Sequence, residues 1–183
     1  MGIPLFFKII SEKYDDTIID NLPEENSHQQ NYLFLDMNCL IHPCCRKLLD
    51  DDYTFSRKCL YEKRMFTEIK LYIEKLIEFS KPKFIYMAID GVAPCAKMSQ
   101  QRLRRFKTFL EKSEHNKIKD QLNIDYPTES WDTNAISPGT DFMIELSKKI
   151  ELYITTDTIF NDIEVIFSGP NIPGEGEHKI LSY

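Results

Sequence analysis

The chain has 183 residues, 42% of them hydrophobic and 28% charged, with a formal net charge of −6. That balance suits one soluble globular domain and excludes a disordered, collagen-like or disulfide-stapled chain. No apolar run reaches the ~18 residues that a spanning helix needs, so no membrane partner is expected.

The opening residues, Met1-Gly2-Ile3-Pro4-Leu5-Phe6-Phe7-Lys8, have no basic stretch ahead of the apolar one, and Phe6 stands where a myristoylation signal needs Ser or Thr. They read as a folded first element. Residues 21–31 are polar, carry Pro23 and read as a loop. Three short apolar runs follow at 32–35, 84–89 and 164–167, each bounded by turn-forming residues as buried central strands are. Between them, Ile69, Tyr72, Ile73, Leu76 and Ile77 recur at helical spacing before Ser80-Lys81-Pro82 ends the pattern, and Phe142, Met143, Leu146, Ile150 and Tyr153 do the same later. Strands alternating with helices predict an α/β fold: a mostly parallel central sheet flanked by helices. Residues 111–137 mix charge, Asn and Pro with few apolar anchors such as Trp131, and read as loop-rich.

The five cysteines (Cys39, Cys44, Cys45, Cys59, Cys95) are odd in number and contain no CxxC pair, which points to a reducing compartment. His28, His42, His115 and His178 form no ligand-spaced cluster with them, so zinc is not expected.

Acidic residues follow each strand: Asp36 after the first, Asp90 after the second, and Glu175 and Glu177 in the PGEGEH stretch after the third. In open α/β sheets the ligand site lies beyond the carboxyl ends of the strands, so these acids gather on one rim. Crowded carboxylates either share protons or bind hard divalent cations, and two such ions about 4 Å apart suit in-line phosphoryl displacement. Glu175 and Glu177, splayed by ~200° on a regular helix, can share a site only at a helix start, which Pro173-Gly174 supplies. The plain alternative is that each acid caps a helix or turn.

A second line comes from residues 96–110, where Lys97, Arg102, Arg104, Arg105 and Lys107 stand with no acidic residue among them. On a helix, Lys97, Gln101, Arg104, Arg105 and Thr108 fall within a ~100° sector, with Leu103, Phe106 and Leu110 opposite and expected to face the core. Such a face could grip a terminal phosphate, or be an ordinary solvated helix surface. The island begins seven residues after Asp90. A phosphate clamp beside an acidic metal site is what a nuclease acting on phosphorylated ends requires.

Five blocks, MGIPLFFKIISEKY, LFLDMNCLIHPC, FIYMAIDGVAPCAKMSQQRLRRF, WDTNAISPGTDFM and SGPNIPGEGEHKI, run in this order over nearly the whole chain. The chain resembles, in them, the N-terminal part of the Xrn-type 5′→3′ exoribonucleases. The resemblance implies a PIN/5′-nuclease-like fold and a two-metal hydrolysis of 5′-monophosphorylated single-stranded RNA to mononucleotides, in RNA turnover. It makes Asp36, Asp90, Glu175 and Glu177 the carboxylates for two Mg²⁺ or Mn²⁺ ions. It places the 5′-monophosphate on Lys97, Gln101, Arg104 and Arg105, in a pocket too tight for a triphosphate or cap, and stacks the terminal base on His42. Asn38 is expected to cap the turn after the first strand or, less favoured, to orient a ligand. Cys95 stands where the family usually carries a basic residue, and Cys44 and Cys45 read as buried side chains. The resemblance puts further metal-binding aspartates on a later strand, beyond Tyr183. Residues 1–183 are therefore expected to be the N-terminal part of a catalytic domain, incomplete on its C-terminal side, with the missing C-terminal part as a partner. Alternatives are a catalytically incomplete fragment that binds RNA 5′ ends or a partner and, more distantly, a flap-type DNA nuclease. Cytoplasm and nucleus are equally compatible.

Overall fold

The three apolar runs pair side by side into one parallel sheet in the order β1–β2–β3, with β1 at Tyr32–Asp36, β2 at Phe84–Ala88 and β3 at Glu164–Ser168. Leu33 pairs with Ile85 and Ile85 with Val165, so the three carboxyl ends, Asp36, Ala88 and Ser168, finish level. The computed structural model describes residues 6–14, 31–48, 55–124 and 131–183. The readings made for residues 1–5, 21–30 and 125–130 lie outside the described residues.

Alternation along the strands splits the sheet into two faces. Leu33, Leu35, Ile85, Met87, Val165 and Phe167 meet the main core, which is filled from α2 (Met37–Lys47), α3 (Lys58–Ser80) and α5 (Asp141–Thr156). The other face, Phe84, Tyr86 and Ala88 with Ile166, packs against Ile180 of α6 (Gly176–Ser182). A first helix, α1, spans Phe6–Lys13. Only β2 is buried along its whole length, so the expectation of three fully covered strands holds for one. Among the described residues β1 and β3 each pair on one side, and Tyr32 is 66% exposed.

In α3 the buried residues Tyr61, Met65, Ile69, Ile73 and Ile77 recur every four positions, and the helix stops where Lys81 turns left-handed (φ 44°) ahead of Pro82. Tyr72, expected on that stripe, is exposed because it lies to one side of it. In α5 all five expected apolar positions are buried, and the Thr140 hydroxyl caps its start by accepting the Met143 N–H at 3.4 Å. Trp131 anchors the segment before α5, its ring 5.0 Å edge-on from Phe142 and its Nε1 donating to Glu62 at 3.3 Å.

Two expectations fail at α4, which spans Cys95–Gln121. The loop-rich reading of 111–137 is corrected for residues 111–121, which continue this helix. Its many Lys and Glu residues are good helix formers, and a lack of apolar periodicity does not stop a helix. Nor does α4 bury any residue: Leu103 (69% exposed), Phe106 (58%) and Leu110 (44%) point away from the core. Helices α2, α3 and α5 already fill the core face, leaving α4 beyond the strand ends with its polar side turned inward. No helix among the described residues is long and apolar enough to cross a membrane.

Candidate functional site

Asp36 and Asp90 sit at strand ends, and Glu175 and Glu177 at the start of α6 beyond β3. Asp36 closes β1 and caps α2, its Oδ1 accepting the Asn38 N–H at 3.0 Å. Asp90 lies two residues past β2 and is held at both oxygens: Asn38 Nδ2 donates to Oδ2 at 2.8 Å and the Gly176 N–H to Oδ1 at 2.6 Å. Asn38 Oδ1 also accepts the Asp90 N–H at 3.3 Å. Of the two roles open to Asn38, the turn cap falls to Asp36, and the Asn38 side chain holds Asp90 instead. Asn38→Ala should accordingly cut the turnover that the resemblance implies about 10-fold with little change in substrate affinity, since both side-chain bonds from Asn38 to Asp90 are lost and only the Gly176 N–H remains. Steady-state kinetics separate that outcome from a loss confined to KM, which would contradict it.

Glu175 is buried at the residue before α6, and Glu177 is exposed in its first turn, so both stand at a helix start. The loops after β2 and β3 are laced together. The Gly91 N–H donates to Gly174 O at 2.8 Å, the Gly174 N–H to Val92 O at 3.0 Å, and the Ile89 N–H to Ser168 O at 2.9 Å. A Cβ on Gly91 would lie 1.9 Å from Ile172 O, so only glycine permits this approach. Beneath the loops the Lys179 side chain, 7% exposed, donates to Ile89 O at 2.7 Å and Gly169 O at 2.9 Å.

Burial pushes the Asp90 carboxyl above its ordinary 3.8; the Gly176 N–H pulls it back, and the Asp36 and Glu175 charges push it up again. Glu175 is balanced by Lys97, whose Nζ lies 3.0 Å from Oε1. The donor set is all oxygen, which suits a hard divalent cation. Among the described residues, however, no three His, Cys, Asp or Glu side chains stand together as a ligand group in this conformation.

From Asp90 a cavity of about 630 Å³ opens between α2 and α4. Asn38, His42 and Arg46 line it from α2, Gln101, Arg104, Arg105 and Thr108 from α4, and Ser137 closes one side. Arg105 Nη2 donates to Ser137 Oγ at 2.7 Å. The basic sector of α4 thus shares a cavity with Asp90, except for Lys97, which is drawn to Glu175. Burial lowers the His42 pKa below 6.5, as do the Arg46 and Arg104 charges against the opposing pull of Asp90 and Asp36, so its ring is neutral at pH 7. The cavity lies in the range that holds small-molecule ligands.

Sequence reasoning missed Arg46, Ser137 and Lys179. Arg46 follows His42 by one helical turn and could have been found from that spacing. Ser137 and Lys179 carry no local signal, since the partner of Ser137 lies 32 residues away in sequence and those of Lys179 lie 90 and 10 away. The cysteines are all free, and burial pushes the Cys45 thiol up to about 12, which leaves it inert.

A three-stranded parallel sheet flanked by helices, with Asp36 and Asp90 at its rim, makes an α/β domain consistent with the PIN-like nuclease class. The family profile described as "XRN 5'-3' exonuclease N-terminus" matches residues 1–183. The chain belongs to this family. It is 44% identical over 192 residues to "5'-3' exoribonuclease 1" of Schizosaccharomyces pombe, covering 100% of this chain and 14% of that protein. It is 42% identical over 189 residues to "5'-3' exoribonuclease 1" of Saccharomyces cerevisiae, covering 100% and 12%. With the "5'-3' exoribonuclease 2 homolog" of Caenorhabditis elegans the identity is 36% over 218 residues, covering 100% and 22%. The chain therefore spans less than a quarter of the length of these relatives.

Proposed function

We propose that the chain is the N-terminal part of a metal-dependent 5′→3′ exoribonuclease that degrades single-stranded RNA with a 5′-monophosphate to mononucleotides, in cytoplasmic or nuclear RNA turnover. The observation that carries this reading is the shared cavity: Asp90 at one end and Gln101, Arg104 and Arg105 along its wall. In this reading Asp36, Asp90, Glu175 and Glu177 hold Mg²⁺ or Mn²⁺. Bound cations of this kind supply an activated water and a counter-charge for the leaving oxygen. Lys97 stands between the two tasks, neutralising Glu175 or reaching a phosphate. Gln101, Arg104 and Arg105 hold the 5′-phosphate, and the neutral ring of His42 stacks on the terminal base. A 5′-hydroxyl end would leave the guanidinium groups without an anion, which disfavours it.

A second reading, a fragment that binds RNA 5′ ends without cleaving them, draws on the lack of a three-residue ligand group among the described residues. One assay separates the two. The purified chain is incubated with Mn²⁺ and single-stranded RNA carrying either a 5′-monophosphate or a 5′-hydroxyl, with Asp90→Ala as the contamination control. Phosphate-dependent release of mononucleotides, absent from the control, is the expected result. Binding that favours the phosphorylated end without cleavage would leave the second reading standing. Equal treatment of both ends would contradict each of them.

A further inference from the structure

The outer end of the cavity holds more positive charge than its α4 wall accounts for. Arg46 lies eight residues, or about 12 Å, along α2 from Asn38, and on the same face. Arg104 lies at a comparable distance along α4 from Lys97, the residue beside Glu175. The two helices therefore each contribute one arginine to the lining of one space. Both line it, together with Arg105 and Thr108, and Asp90, at the inner end, is the only carboxylate among the lining residues. Arg105 is tied to Ser137. Arg46 and Arg104 have no ion pair or side-chain hydrogen bond among the described residues, and their charges both bear on His42 between them. Guanidinium groups facing each other across a cavity repel unless an anion sits between them, and their forked donors suit phosphate oxygens.

We infer that Arg46 is a specificity-determining residue that grips the 5′-terminal phosphate from the α2 wall, opposite Arg104. This rests on the reading of the cavity as the 5′-end site and adds to it a second wall. Its ordinary alternative is a cation placed near the C-terminus of α2 to favour the helix dipole, a role indifferent to the RNA end.

The test measures binding by fluorescence anisotropy, with Ca²⁺ in place of Mn²⁺ to prevent cleavage. The probe is a single-stranded oligoribonucleotide bearing a 5′-monophosphate or a 5′-hydroxyl. Wild type, Arg46→Gln, Arg46→Lys and Arg104→Gln are compared. Arg46→Gln is expected to weaken binding of the phosphorylated probe about 10-fold, the worth of one charge-assisted hydrogen bond, and to leave the hydroxyl probe unchanged. Arg46→Lys should recover part of the loss. Two results overturn the inference while sparing the 5′-end reading: Arg104→Gln loses the preference but Arg46→Gln keeps it, or Arg46→Gln weakens both probes equally. A wild type that does not distinguish the probes overturns the 5′-end reading and the inference with it.

Discussion

Asp90→Asn should lower RNA hydrolysis on the order of 10³-fold or more, the size of effect expected when a group that organises charge at the reacting phosphate is lost. The substitution is nearly isosteric. Its carbonyl oxygen can still accept the Gly176 N–H, which donates at 2.6 Å in the native arrangement. The loops and the α4 wall therefore stay in place, and binding of 5′-phosphorylated RNA should survive. Stability should not fall much either. The Asp90 carboxyl titrates above 3.8 in the fold because of burial, so its charged form is disfavoured there. Between 3.8 and that raised value the folded chain binds more protons than the unfolded one, so this group makes stability fall as pH rises through the window. Asn removes that penalty and loses the acceptor for Asn38 Nδ2, two opposing changes. Rates with Mn²⁺, a calorimetric Mn²⁺ titration and a melting curve test the three parts together. Hydrolysis within 10-fold of wild type would remove Asp90 from the reaction.

The second large effect is structural. Lys179→Met should destabilise the fold by about 3 kcal/mol, because the Ile89 and Gly169 carbonyls would each lose a buried donor. Methionine fills the space of the stem and supplies no hydrogen. Burial lowers the Lys179 pKa below 10.5, with the Asp90 charge opposing. Between that lowered value and 10.5 the unfolded chain binds more protons, so this group makes the native protein gain stability as pH rises through the window, and the Met variant should lack that gain. Denaturant unfolding at two pH values measures both quantities. A loss under about 1 kcal/mol would mean that water replaces the ammonium group without cost.

What could be read in advance depended on how local the cause was. The strands at 32, 84 and 164 are short apolar runs between turn residues, and each appears within one or two residues of its expected limits. That the Asp36 and Glu175 charges both act on Asp90 followed from parallel topology, although no three of the four expected acids close into a ligand group among the described residues. Helix α4 misled because its pattern fixes which residues share a side and says nothing about where that side points. Apolar residues such as Leu103 and Phe106 are expected to turn inward, yet the core is filled by three other helices. Arg105 meeting Ser137, and Lys179 meeting two carbonyls, depend on how loops from distant parts of the chain come together. No periodicity records that.

The reciprocal bonds between the Gly91 and Gly174 loops bear on time as well as geometry. Catalytic loops generally belong to the least protected parts of a protein, opening far more often than the sheet beneath them. Here the amides of Gly91 and Gly174 are bonded across two loops that are anchored by Ile89 and by the Lys179 side chain. Their exchange with solvent deuterium should be slow, close to that of the β2 amides. The two segments that carry Asp90 and Glu175 then open as one unit with the sheet.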